Sequence, residues 1–451
     1  MERDSRTADH LRVRFASALQ QMYRAEVPAY AQLHGLVLEC NEAVLRENGD
    51  SLAEDSVALA RLSAPRHGAI RVGTGTELAW LGRLFALLGM QPVDFYDLVP
   101  AGLPVMSTAF RPVTRAAMAV NPFRMFCSLL RPELIDDVAV RESAVAAIDA
   151  RDIFSPELKM LIERAEATGG VAESCAEEFL SHALEVFRWS GRACLERPAY
   201  EALAAEHRLI ADIAAFPGPH INHLTPRTLD IDGLQMAMIE RGFSAKAVVE
   251  GPPRREVPIL LRQTACTAQA EAVIYPTDGQ HKTEGRHTAR FGEAEQRGVA
   301  LTETGRALYD ACLAKAHRAA QSRSYDDALA EAFAAFPDEQ AELIEADLAY
   351  DEYERTPGAP VQDLATPRRR AEAVRAGYVM AKPIPYEDFL PVSAAGIFRS
   401  NLGDAETETY IQSSSQRDFE AALGRPVSTS QDLYAAEQAA SIKLAAREIA
   451  A

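Results

Sequence analysis

The sequence predicts an α+β protein, with a sheet built from two similar strand modules and large helical additions around it. Three observations predict this. A strand–helix–strand–strand–strand pattern runs through residues 61–133 and again through 217–300, and the stretch between them, 134–216, reads as helical. One spacing recurs in both copies: His67 is followed at i+4 by Arg71, and His223 at i+4 by Arg227. The strand runs are short and bounded by Gly and Pro, whereas the helical runs show apolar residues at helical spacing.

Taken in order, Phe15, Leu19, Met22 and Tyr23 form one apolar face of a first helix, and Tyr30 to Leu45 a second. HGAIRV (67–72) reads as a strand. Gly73-Thr-Gly-Thr leads into the helix ELAWLGRLFALLG, with Thr76 as its expected cap and Gly89 as its stop. PVDFYDLV, LPVMSTAFRPV and FRMFCSLLR complete the first module as strands. Within the helical insertion, Ser155-Pro156 is a cap followed by a first-turn proline. In the second module HINHL reads as a strand and Asp230 to Gly242 as a helix. AKAVVEG, PILLRQTAC and HTARFGEAEQRG then read as its three further strands.

Beyond residue 300, a helix is expected from Thr302, an acidic helical region over Asp338–Arg355, and a helix start at Arg368-Arg369-Arg370. KPIPYEDFLPVSAAGIF reads as an ordered loop and the C-terminus as a helix. The chain thus divides into an N-terminal helical region (1–60), a first module (61–133), a helical insertion (134–216), a second module (217–300) and a C-terminal helical region (301–451) with a substrate-side loop near 385–400.

Charge excludes several functions. The 451 residues carry a net charge of −18, which argues against a general nucleic-acid binder and against a polybasic membrane-surface protein. MERDSRTADHLRVRF has no apolar core of signal-peptide length, and no window is apolar enough to span a bilayer. The six cysteines are scattered with no CxxC pair, as in reduced thiols, so a cytoplasmic protein is expected.

Three segments combine His, Arg and Glu on short strands: 66–71, 220–227 and 287–298. Alternate residues of a strand share a face. His67 and Arg71 therefore point together, as do His223, Thr225 and Arg227, and as do Glu293, Glu295 and Arg297. If the two copies pair into one sheet, they supply two imidazoles and one carboxylate to one face. That donor set, with open coordination positions, suits a non-haem Fe(II) that activates O2, and equally a catalytic zinc. Spacing does not choose His220 over His223, or Glu293 over Glu295. Counted over 66–71, 220–227 and 286–297, the strands hold Arg66, Arg71, Arg227, Arg286, Arg290 and Arg297 against only Glu293 and Glu295, a locally cationic composition that suits a small dianion. The Gly73-Thr-Gly-Thr run lacks both the full GxGxxG and a Walker lysine, so it reads as a tight turn.

HINHLTPRTLDID, EGPP, LLRQT, HTARFGEAEQRG and ALTETGRALYD, together with RHGAIRVGT, GMQPVDFYDL and PVSAAGIF, resemble the signature of the 2-oxoadipate dioxygenase/decarboxylase family, the hydroxyglutarate synthases of lysine breakdown. The resemblance spans most of the chain. It implies a vicinal oxygen chelate fold of paired βαβββ modules. By the same resemblance His67, His223 and Glu293 are the metal ligands, with Glu295 in reserve. Arg71 is the arginine for a substrate carboxylate, and Val392 and Ser393 lie in a segment near the substrate. It further implies Fe(2+), O2 and 2-oxoadipate as reactants, with 2-hydroxyglutarate and CO2 as products. Arg227, Arg262 and Arg290 read as arginines that brace neighbouring carboxylates, and Gln263 as either a wall residue or an orienting amide. The alternatives are a metal-dependent lyase, isomerase or hydrolase of the same fold that acts on a small oxo acid without O2, and a non-catalytic module that binds a dicarboxylate.

Overall fold

A computed structural model of the protein describes residues 5–246, 248–268, 270–277, 283–288, 290–320, 322, 324–390 and 415–447. The chain forms two compact units. The first comprises Met1–Val248, Thr264–Glu295 and Phe389–Ser428, and the second Val249–Gln263, Gln296–Asp388 and Thr429–Ala451.

The N-terminal apolar stripes become α1 (Ser5–Glu26) and α2 (Pro28–Glu47), followed by α3 (Ser56–Leu62). The first module is β1 (Pro65–Val72), α4 (Gly75–Leu87), β2 (Gln91–Asp97), β3 (Val105–Arg111), α5 (Arg115–Val120) and β4 (Arg124–Leu130). Helix α4 begins two residues earlier than expected. Its cap is Thr74, not Thr76, because Thr74 and Glu77 form a capping box: the Glu77 backbone N–H donates to the Thr74 hydroxyl at 3.1 Å, and Glu77 in turn accepts from the Thr74 N–H at 3.3 Å. The insertion holds α6 (Val138–Asp149), α7 (Pro156–Thr168, capped by Ser155 as expected), α8 (Ala176–Glu185), α9 (Arg197–Glu206) and α10 (Arg208–Ala214).

The second module is β5 (His223–Pro226), α11 (Ile231–Glu240), β6 (Leu261–Ala265) and β9 (Phe291–Arg297). Two corrections apply here. AKAVVEG forms no strand among the described residues. It is reduced to two isolated bridges, Ala245 to Cys266 and Glu250 to Gln263, a fourth strand that never closes into a ladder. HTARFGEAEQRG is not one strand either. His287 ends β8 (Thr283–His287), which pairs only with β7 (Glu271–Tyr275), while Phe291 opens β9. The β7–β8 hairpin is thus an insertion within the second module.

The strand order of the seven-stranded sheet is β2-β3-β4-β1-β5-β9-β6. Each module contributes a parallel pair next to the seam, β1 with β4 and β5 with β9. The seam itself is the antiparallel pairing of β1 with β5, in which Ala69 faces His223 and His67 faces Thr225. One face of the sheet presents Ile70, Val72, Met125, Cys127 and Leu129 to α1, α4, α7 and α8. The other presents Ala69, Ala109 and Phe126 towards a second apolar cluster that includes residues of α6, α9 and α10. The candidate site lies on this second face.

Two glycines allow the seam to close. A Cβ on Gly68 would lie 2.8 Å from Ile221 and 3.2 Å from the carbonyl of His223, and one on Gly292 would lie 2.8 Å from Leu33. Each stands beside a histidine or glutamate of the site and points to the opposite, packed face.

In the second unit, α12 (Glu303–Ala319) starts at its expected cap, Thr302, and is followed by α13 (Tyr325–Phe333), α14 (Gln340–Glu345) and α15 (Pro367–Arg375). The acidic region 338–355 is only partly helical, since it ends in β10 (Asp351–Arg355), paired with β11 (Val379–Pro383). Along β10, Asp351 and Tyr353 turn inward while Glu352 and Glu354 lie further out, a two-residue alternation that the acid-rich composition obscures. Among the described residues no helix is long and apolar enough to cross a membrane.

The seam is tied down from α1. The buried Tyr23 hydroxyl lies 2.9 Å from the carbonyl of Asn222 and 2.8 Å from that of Phe291, the residues at the start of β5 and β9. Tyr23→Phe leaves these buried carbonyls without that donor, and we expect a loss of about 1–3 kcal/mol in urea unfolding. An unchanged unfolding midpoint would contradict this role.

Candidate metal centre

The register of the seam explains how residues distant in sequence come together. His67 on β1 and His223 on β5 are offset by two positions across an antiparallel pair, so both side chains emerge on the same face. Their rings meet edge to face, with centroids 5.2 Å apart. His223 is registered with Phe291 on the parallel neighbour β9, which puts Glu293 and Glu295 on the same face. One nitrogen of each histidine and one carboxylate oxygen of Glu293 all lie within 4.8 Å of one another. His67 and His223 are 0% exposed and Glu293 is 3% exposed.

Glu293 and Glu295 approach His67 from different sides. Glu293 Oε1 is 3.4 Å from Nε2, while Glu295 Oε2 is 2.8 Å from Nδ1. Glu295 also lies 3.8 Å from Nη1 of the fully buried Arg124. The two glutamates left equal by spacing are therefore distinct in space: Glu293 faces the ring nitrogen that joins the three-residue cluster, and Glu295 lies behind the ring. Phe389 packs on His67 with centroids 4.9 Å apart, and Phe291 lies 4.8 Å from His223. This wall keeps the cluster in a low-dielectric environment.

The donor set fits a metal ion on three grounds. Neither ring nitrogen of His223 has a hydrogen-bond partner, although both are buried. Burial, reinforced by the nearby His67 and Arg71, pushes the His223 imidazole well below its ordinary pKa, so it is neutral and able to ligate. Two buried carboxylates, Glu293 and Glu295, stand on either side of the His67 ring, a concentration of negative charge that a divalent cation would offset.

A second buried cluster, Asp212, His220 and His287, meets the same 4.8 Å criterion. His287 Nε2 lies 2.9 Å and His220 Nε2 3.2 Å from Asp212 Oδ1. Arg71 belongs here: its Nη1 donates to Asp212 Oδ2 at 2.5 Å. Burial raises the Asp212 pKa, but Arg71 and the two histidines outweigh it and hold the carboxyl well below the usual carboxylate range. His220 is pushed down by burial against the opposing pull of Asp212.

Of the residues singled out in the sequence, His67, His223 and Glu293 converge, Glu295 adjoins them, and Arg71 shares their strand. Val392 and Ser393 lie outside the described residues. The expected cationic surplus is mostly engaged elsewhere: Arg290 pairs with Glu271 and Glu26, Arg286 is exposed, and Arg297 donates to the carbonyls of Tyr386 and Asp388. Asp212 was missed because it comes from the helical insertion. Its signal is a single acid within the apolar run LIADIAAF, a setting that suits a buried, partnered carboxylate.

A sheet of two such modules, with two imidazoles and a carboxylate buried at their seam, defines a class: a paired-module α+β protein with a mononuclear metal-site donor set. The family model described as 2-oxoadipate dioxygenase/decarboxylase matches residues 15–401, and the chain belongs to that family. It is 50% identical over 437 residues to the 2-oxoadipate dioxygenase/decarboxylase of Escherichia coli (strain K12), covering 96% of each chain. It is 46% identical over 453 residues to that of Pseudomonas putida, covering 98% of this chain and 97% of the other. It is also similar to the crystal structure of the hydroxyglutarate synthase in complex with 2-oxoadipate from Pseudomonas putida, with a TM-score of 0.85 at 44% identity, covering 97% of this chain and 98% of that one.

The depressed histidines set a pH dependence. Below a pKa of about 6.5 the unfolded chain protonates its histidines, whereas the folded metal-free chain keeps His223 and His220 neutral. The unfolded state then binds more protons, so stability falls as pH falls, by up to about 1.4 kcal/mol per pH unit for each such histidine. The urea midpoint of the metal-free protein should be lower at about pH 5.5 than at about pH 7.5. A flat or inverted dependence would show that these imidazoles charge freely in the fold.

Proposed function

We propose that this protein is a cytoplasmic, Fe(2+)-dependent dioxygenase/decarboxylase that converts 2-oxoadipate and O2 to 2-hydroxyglutarate and CO2 in lysine catabolism. The observation that carries the reading is the convergence of His67, His223 and Glu293 at the seam of a chain whose family is described as 2-oxoadipate dioxygenase/decarboxylase. Its six unpaired cysteines suit a reducing compartment.

In this reading His67, His223 and Glu293 would hold the iron. When bound, the metal supplies the chelation of a 2-oxo acid and the activation of O2. Glu295 lies against the far nitrogen of His67 and orients its ring, the role a carboxylate plays behind a ligating histidine. Arg71 follows His67 by four residues on β1, a rise of roughly 13 Å along the strand, and its guanidinium receives the distal carboxylate of the diacid. Phe389 and Phe126, packed 5.0 Å apart, exclude water between the two ends of the substrate. The balance needs no second oxo acid: one carbon leaves as CO2, and both atoms of O2 enter the five-carbon hydroxy diacid.

His67→Ala, His223→Ala and Glu293→Gln should each abolish stoichiometric iron binding and CO2 release, whereas Glu295→Gln should retain iron with affinity lowered about 10–100-fold. Arg71→Ala and Arg71→Lys should both keep iron yet lose most 2-oxoadipate turnover, since lysine keeps the charge but not the bidentate fork. Full turnover in His67→Ala or His223→Ala would sink the ligand assignment, and unchanged kinetics in Arg71→Ala would remove its role.

A further inference from the structure

The Asp212 cluster has the donor types of a metal site, but its hydrogen bonds describe something else. Four donors converge on one carboxylate. His287 Nε2 at 2.9 Å and His220 Nε2 at 3.2 Å approach Oδ1, while Arg71 Nη1 at 2.5 Å and Asn222 Nδ2 at 3.4 Å approach Oδ2. The Tyr200 hydroxyl lies 2.9 Å from His287 Nδ1. With Tyr200 donating there, His287 carries its own proton on Nε2 and donates it to Asp212. A continuous chain of donors therefore runs from Tyr200 on α9 through His287 to Asp212 on α10, where it meets Arg71 on β1. Trp189 stacks on His287 at 5.8 Å and Phe216 packs on it at 4.7 Å, which fixes the ring. The cation that Asp212 faces is already present, and it is a guanidinium.

The two modules show why this acid is needed. In the first, Arg71 is registered with Ser128; in the second, Arg227 is bridged with Glu295. The sheet thus places a serine beside Arg71 where the other module has a glutamate. The helical insertion brings in the missing carboxylate as Asp212. A buried arginine without such a partner is costly.

We propose that Asp212, held by His287 and Tyr200, is the positioning residue for Arg71, and that it sets the length of 2-oxo diacid the enzyme accepts. The proposal rests on the reading of Arg71 as the receptor of the distal carboxylate. A guanidinium locked at one place along β1 matches one distance between the chelating and distal ends of the substrate. A guanidinium free to swing matches several. Asparagine at position 212 loosens the lock, because the charge-assisted bond to Arg71 becomes a weaker neutral one and an NH2 facing the histidines forces them out of the donating tautomer.

The test compares kcat/KM of the iron-loaded enzyme for 2-oxoglutarate, 2-oxoadipate and 2-oxopimelate. All three are dianions that differ only in length. The unmodified enzyme should prefer 2-oxoadipate. Asp212→Asn should keep stoichiometric iron but narrow that preference about tenfold or more, given that a misplacement of about 1 Å costs up to about 10²-fold. Tyr200→Phe should narrow it in the same direction by less. If Asp212 only supports the fold, all three values fall by one factor; if it only tempers the charge of Arg71, all three rise by one factor. Either result overturns the proposal. Should Asp212→Asn not fold, an unchanged preference in Tyr200→Phe overturns it instead. Arg71→Ala separates the two levels. If it keeps the length preference, the reading of Arg71 falls and the proposal with it. If it loses the preference while Asp212→Asn keeps it, only the proposal falls.

Discussion

The antiparallel pairing of β1 with β5 is the constraint on which the rest of the first unit depends. Ala69 opposite His223 and His67 opposite Thr225 fix a register in which two histidines from different modules share one face. A slip by one residue would turn one of them into the packed face. The parallel partner of β5 then delivers Glu293 to the same spot, and Gly68 and Gly292 let the strands and α2 approach closely enough for this to happen. Tyr23 secures the same junction from outside the sheet. The candidate site is thus a consequence of how the two modules join and belongs to neither alone.

The electrostatics follow the same logic. The protein as a whole carries −18, and its strands hold several arginines, but local composition does not predict local field. Arg290 is neutralised by Glu271 and Glu26, and Arg71 by Asp212. On the inner face two imidazoles and two carboxylates lie buried together, and burial keeps His223 neutral. The chain belongs to the 2-oxoadipate dioxygenase/decarboxylase family, and a relative from Pseudomonas putida was crystallised in complex with 2-oxoadipate.

The fold class, the first module and the helical stretch after it were legible from local pattern, whereas the set His67, His223 and Glu293 came from the family resemblance, because periodicity left His220 and Glu295 open. What was not legible depends on tertiary context. AKAVVEG has the composition of a strand but meets its neighbour only at two bridges, Ala245–Cys266 and Glu250–Gln263. HTARFGEAEQRG reads as continuous, yet His287 ends a separate hairpin and joins Asp212, not Glu293. Helix α4 is capped by Thr74 because the Thr-x-x-Glu spacing decides over the nearer threonine. The role of Asp212 required knowing that α10 lies against β1. Choosing Glu293 over Glu295 required distances, since alternation puts both on one face.

The proposed function has His67, His223 and Glu293 hold an iron ion that couples O2 to the decarboxylation of a 2-oxo diacid. The most direct measurement is a single reaction of the iron-reconstituted protein with 2-oxoadipate under ¹⁸O2, with mass analysis of both products. The account predicts unlabelled CO2 from the original carboxyl group and 2-hydroxyglutarate carrying both atoms of O2. Product that forms without O2, or that carries no label, would contradict it and leave a metal-dependent reaction of another kind.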